Sequence, residues 1–303
     1  MAGSSETWLG WLLALGSTVG FSLAPFVAKT ALLSGVPPAE LMAVRMALTL
    51  LLMGGFMLLF APARLRIDRR GFFIAVGTGM INGLGFLGFF LALLRLEASI
   101  ASMIYTLSPL VVILLLALKG EPISRRHGVR LLLGISGVFL LIGPAGDVDI
   151  IGAMLVMVTV VVFAVQLVSI QWFLQAYHAW TITFYIILGI NLVGAGWWLV
   201  EGFRWQDPGR IGWNAIIVLA LISTFLARLA MFGAIRKLGS GQVGLTVPLE
   251  NLLSVIWSLL FLQERLTWTE WLGGSLILAS MILATQRLRL NRRQLRWRFW
   301  SRP

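Results

Sequence analysis

Residues 95–121, RLEASIASMIYTLSPLVVILLLALKGE, are echoed by residues 237–264, KLGSGQVGLTVPLENLLSVIWSLLFLQE. Each stretch opens on a basic residue and a leucine, passes a small-residue turn, runs on as apolar chain interrupted by a proline, and closes on a glutamate. About 20 apolar residues is the length that carries a helix through the hydrocarbon of a bilayer. The copies lie about 142 positions apart, and repeats should be sought first in a chain of this shape.

Working outward, apolar runs fall at 8–28, 39–60, 71–93, 99–118, 128–143, 151–174, 180–200, 212–236, 241–262 and 270–286. Five runs lie in each half, and because five is odd the second half enters the membrane from the opposite face. The expected fold is all-α and integral to the membrane: ten transmembrane helices as two inverted five-helix repeats around a central cavity. Residues 1–146 form the first repeat, 147–286 the second, and 287–303 a basic cytoplasmic tail.

Composition agrees. The chain has 303 residues, 59% of them hydrophobic, with 24 basic and 12 acidic side chains and a mean hydropathy of +0.92. Ten spans use roughly 200 positions, which leaves no room for a soluble catalytic domain. The runs are long and continuous, unlike the short alternating strands of an outer-membrane barrel. There is no cysteine and there are two histidines, so disulfides, thiolate metal sites and histidine-rich zinc sites are excluded. No metal, cofactor or catalytic residue is expected, and His127 and His178 join no nucleophile constellation. The first run is expected to be retained as a span, because no basic region precedes it and no small-residue cleavage site follows.

The net charge of +12 takes its meaning from its distribution, and no nucleic-acid role is assigned to it. With the N-terminus inside, inner loops and tail hold Arg64, Arg66, Arg69, Arg70, Lys119, Arg125, Arg126, Arg130, Arg236, Lys237, Arg287, Arg289, Arg292, Arg293, Arg296, Arg298 and Arg302. The outer loops hold Lys29, Arg95, Arg204, Arg210 and Arg265. Positive residues near span ends stay cytoplasmic, so both termini are expected inside a bacterial inner membrane.

Three ionisable side chains, Arg45, Arg228 and Glu250, fall within runs. A charge in hydrocarbon costs several kcal/mol and must find a partner, a cavity or the interface. Arg45, near the outer end of its run, is expected to snorkel. Arg228 and Glu250 both lie roughly 12 to 14 Å above the inner surface at about 1.5 Å rise per residue, where they can meet. Two readings stand for them: a buried ion pair holding a hairpin, or a site where Arg228 attracts a substrate carboxylate and Glu250 restrains the substrate or exchanges a proton.

Pro25, Pro109 and Pro248 each free the carbonyl four residues earlier and kink their helix. A freed carbonyl needs protein or water, so it tends to line a cavity. Polar residues at the same depth complete the candidate substrate-binding set of Ser22, Asn82, Tyr105, Ser108, Gln166, Thr224, Arg228, Glu250 and Asn251. Serine and threonine can satisfy themselves on their own backbone, whereas the amides of Asn82, Gln166 and Asn251 need another partner. Gly79 and Gly83 in the third run have the small-xxx-small spacing of close helix contacts; a hinge at Gly83 is the sharper alternative. Most tryptophans lie near run ends, where aromatic belts belong, with Trp172 and Trp257 deeper.

Three motifs stand out: Pro37-Pro38 followed by Arg45, Ser108-Pro109 with Glu121, and Pro248-Leu249-Glu250 with Glu264 and Arg265. In these residues the chain resembles the EamA-type branch of the drug/metabolite transporter superfamily. The sequence departs from that pattern at Asn251, where a second proline is usual, and at Arg130, near a usual glycine. The resemblance implies ten helices in two inverted halves and export of amino acids or related metabolites, as in aromatic amino acid exporters. The partners expected are then a small-molecule substrate and the lipid bilayer, for a monomer or homodimer. A channel and a flippase of lipid or polyprenyl carriers remain open, although no ring of like charges points to a pore.

Overall fold

The computed structural model describes residues 2–118, 125–142, 148–203 and 205–285. Glu121, the expected boundary between 146 and 147, and the tail 287–303 lie outside the described residues. Among the described residues every regular element is helical. Eight helices are long and apolar enough to cross a membrane: α1 Thr7–Leu33, α2 Pro38–Phe60, α3 Arg69–Leu93, α4 Ala98–Ala117, α6 Ile150–Phe173, α7 Ala179–Val200, α8 Gly209–Leu238 and α9 Gly244–Phe261. Two shorter apolar helices, α5 Arg125–Ile142 and α10 Trp268–Thr285, complete the set. Each stands where an apolar run was read, and α1 is longer than its run, reaching Leu33.

The termini follow from local chemistry. Pro38 opens α2, where its missing N–H deprives no carbonyl of a bond. Asp149 caps α6 by accepting the Gly152 N–H at 2.8 Å, satisfying one of the first-turn donors. Gly239 ends α8 with φ of +85°, a conformation that a side chain would make costly.

The principal contacts repeat when the halves are exchanged. α1 packs on α8 as α3 packs on α6; α1 packs on α9 as α4 packs on α6; α2 packs on α8 as α3 packs on α7. The pairs α2 with α7, α4 with α9 and α5 with α10 are each helix against its own counterpart. Large side chains such as Leu51, Leu59, Phe60, Phe73, Leu132 and Phe139 are exposed on the outside, the surface that lipid would cover.

Glycines set the closest crossings. A Cβ added to Gly79 would lie 2.2 Å from the Ile186 carbonyl oxygen, and one added to Gly189 would lie 2.2 Å from that of Val76. Thus α3 and α7 touch backbone to backbone. Gly83 faces Val193 of α7 and Gly85 faces Val162 of α6. α3 is helical without interruption from Arg69 to Leu93, with Gly79, Gly83 and Gly85 at its contacts with α7 and α6.

Loop contacts sort into two ends. At one, the Tyr177 hydroxyl meets Asp68, the Thr181 hydroxyl donates to the Arg64 carbonyl at 2.6 Å, and the Tyr185 hydroxyl donates to the Leu65 carbonyl at 2.6 Å. At the other, Arg95 pairs with Asp149 at 3.1 Å, and Glu40 accepts the Gln206 N–H at 3.3 Å. In each of these contacts a residue read as inner meets one read as inner, or a residue read as outer meets one read as outer.

Candidate functional site

Four helices depart from regular α winding: α1, α4 and α8 within their length and α9 at its start. α1 is interrupted at Leu23, with Pro25 in the first turn beyond. α4 breaks between Tyr105 and Ser108, and Pro109 starts its second segment. α9 passes from a 3-10 turn, Gly244–Thr246, into an α-helix whose first turn holds Pro248. In each case the ring removes a donor and clashes with the preceding turn. α8 has no proline but is wound as a π-helix over Val218–Leu226, a rare geometry frequent at functional sites.

These breaks surround a charged centre. Arg228 lies two positions past the π-helix, and its Nε is buried without a hydrogen-bond partner. Glu250 sits in the turn that follows Pro248. Arg228, Glu250 and Tyr105 are close enough to act on one another electrostatically, yet among the described residues Arg228 and Glu250 form no ion pair within 4.0 Å. The two residues are thus brought near each other without a direct ion pair. The π winding of α8 and the 3-10 turn of α9 reset the faces that straight helices would present. Both side chains are half-buried, and without a direct ion pair they are a weak structural tie.

Arg45 requires a correction. It does not snorkel: it is 4% exposed, and its Nη2 donates to the Thr224 hydroxyl at 3.0 Å. That hydroxyl in turn donates to the Leu219 carbonyl at 2.8 Å. The Arg45 guanidinium lies over the Phe86 ring, 5.8 Å from its centroid, where the ring face attracts a cation. It is also within electrostatic range of Arg228. Sequence alone gave no sign of this turn inward, because α2 is apolar around its whole circumference and offers no periodicity to orient Arg45.

Aromatic rings wall the centre. Tyr105 packs against Phe89 of α3 at 5.8 Å and Phe163 of α6 at 5.4 Å between centroids. Asn82 and Gln166 are buried one helical turn from Phe86 and Phe163, and Ser108 is buried at the break in α4. Two other candidates turn elsewhere. The Asn251 amide donates to the Met281 sulfur of α10 at 3.4 Å, a weak acceptor. Ser22 donates to the Val19 carbonyl at 2.8 Å and accepts the Trp257 indole N–H at 2.9 Å.

Toward the end that carries Arg95, α1 and α9 close on each other. Phe26 stacks on Phe261 at 5.2 Å, and Lys29 donates to the carbonyls that end α3, those of Leu93 and, at 2.9 Å, Leu96. Glu264 spans the N-terminus of α4, accepting the N–H groups of Ala98 at 2.7 Å and Ser99 at 2.9 Å and the Ser99 hydroxyl at 2.6 Å. Beside it, Glu97 has one carboxylate oxygen buried without a partner. Burial, then Glu264 and Glu270, push the Glu97 carboxyl above its ordinary range, and Lys29 opposes them. Among the described residues no group of three or more His, Asp or Glu side chains could hold a metal ion.

Comparison with known proteins bears on this geometry. The EamA-like transporter family matches the chain twice, at residues 8–143 and again at 150–286. The chain belongs to this family. As an EamA-family protein of the drug/metabolite transporter superfamily it is a multi-span membrane transporter, and the two matches fall on successive sets of helices, α1–α5 and α6–α10. An uncharacterized transporter of Archaeoglobus fulgidus is 25% identical over 210 residues, 69% of this chain and 75% of the relative. A solved crystal structure superposes with a TM-score of 0.63 at 19% identity, covering 94% of this chain and 98% of that one, a likeness of fold.

Proposed function

We propose that this EamA-family transporter exports small metabolites, foremost amino acids, by alternating access at a binding site near the bilayer midplane. In this reading residues 1–146 and 147–286 are two units that rock about the centre. The membrane is the bacterial cytoplasmic one, with both termini inside. The observation that carries the reading is the half-buried set of Arg228, Glu250 and Tyr105, within electrostatic range of one another but without an ion pair, beside the breaks in α4, α8 and α9. A site that holds opposite charges apart suits a zwitterion: Arg228 takes the carboxylate with its planar fork of donors, and Glu250 takes the ammonium. Phe86, Phe89, Tyr105 and Phe163 supply an apolar wall for a neutral or aromatic side chain. Interrupted helices with charges at their break points are the usual construction of such midplane sites.

The test is counterflow in proteoliposomes loaded with labelled amino acids, with and without a proton gradient. The double variant Arg228→Gln with Glu250→Gln should lose at least nine-tenths of the flux while folding normally. Full retained flux would leave the two charges a purely structural role and remove them from the binding site.

A further inference from the structure

We propose that Arg45 and Arg228 together form the anion-binding part of the central site, which therefore prefers an amino-acid-like solute with two acidic groups over one with a single carboxylate. This rests on the transport reading but not on a neutral side chain.

Three observations lead to it. The Thr224 hydroxyl, which accepts from Arg45, lies one helical turn before Arg228 on α8, about 6 Å along the axis. The bond thus tethers one guanidinium beside the other. Both arginines have a buried Nε without a partner, so each fork of donors is incompletely used. Their like charges act on each other, and among the described residues Glu250 is the carboxylate that acts on Arg228. Two guanidinium groups thus act on each other, and one carboxylate acts on the second of them.

In a low-dielectric interior such an imbalance calls for an added anion, and a guanidinium fork meets a carboxylate through two parallel hydrogen bonds. The solute that complements two cations and one anion carries two carboxylates and one ammonium, with net charge −1. A neutral amino acid would satisfy one arginine and leave the other as it is. Thr224 and Phe86 are positioning residues, holding Arg45 in place from α8 and α3.

The test compares L-glutamate, L-aspartate, L-leucine and L-phenylalanine for binding to the purified full chain in nanodiscs, by calorimetry, and for counterflow in proteoliposomes. The acidic pair should bind at least tenfold more tightly than the neutral pair. Arg45→Gln should weaken glutamate binding at least tenfold and leave leucine binding within twofold, and Thr224→Val, which keeps both charges, should give a smaller loss for glutamate alone. Neutral amino acids that bind as tightly as acidic ones in the unaltered protein would overturn the proposal, whatever the variants do, while the transport reading would stand. Failure to bind or move any of the four would overturn both.

Discussion

The Trp257 indole N–H and the Ser22 hydroxyl meet 235 positions apart in sequence, and the same separation recurs at Phe26 with Phe261 and at Lys29 with Glu264, whose charges attract. Steps of four and three residues on α1, and of four on α9, keep one face of each in contact, because residues so spaced are neighbours on a helix surface, and Glu264 extends the contact just past the end of α9. α1 and α9 therefore run in the same direction and are zipped together over their last turns.

Opening this zipper should expose the centre from the end that carries Lys29. The absence of cysteine makes a single Ser108→Cys reporter usable. Adding Phe26→Ala and Phe261→Ala should raise its labelling by a membrane-impermeant maleimide several-fold when reagent is applied from that end. An unchanged rate would show that the contact does not close the path.

Glu264 should matter for stability through the N-terminus of α4. Its carboxylate satisfies two first-turn N–H groups and faces the positive end of the helix dipole, so Glu264→Gln should cost about 1–2 kcal/mol. Ser99→Ala should cost less. Thermal unfolding in detergent measures both, and equal losses would argue against the charge–dipole account.

Glu97 sets a pH dependence of definite sign. Its carboxyl titrates above the usual carboxylate range because of burial and the neighbouring Glu264 and Glu270. The folded state then binds its proton more tightly than the unfolded state, and stability falls as pH rises from the ordinary carboxylate pKa through the raised one. Glu97→Gln should raise the Tm at pH 7 to 8, with the gain vanishing below about pH 4.3, the ordinary glutamate value. A gain that persisted in acid would point to a cause other than charge.

The crossing of α3 and α7 should tolerate no side chain. Gly79→Ala or Gly189→Ala must push apart backbones that are in contact, and overpacking of this kind costs about 1–3 kcal/mol. Size-exclusion profiles of the solubilised protein should show loss of the monodisperse peak. Gly16 and Gly77, where an added Cβ meets nothing within 4 Å, are the controls.

Much of the architecture was readable because hydrocarbon imposes it: ten apolar runs bounded by charge, proline or glycine became ten helices, and an odd number per half required inversion. The prolines at 25, 109 and 248 mark interruptions in the structure because a missing N–H acts locally. The orientation of Arg45 was not readable, since a helix apolar on every face carries no signal of which side meets protein. Nor was the path of α8, for no residue type between Val218 and Leu226 announces π winding. The partner of Trp257 was hidden because it comes from the opposite end of the chain.

That winding gives α8 slack. A turn closed five residues on uses one more residue than a turn closed four residues on, so the stretch before Arg228 holds length in reserve. Tightening it by one residue would swing Arg228 by about 100° around the helix axis, carrying one cation away from the centre. The balance of charge at the heart of the molecule is thus set by how one strand of backbone is coiled.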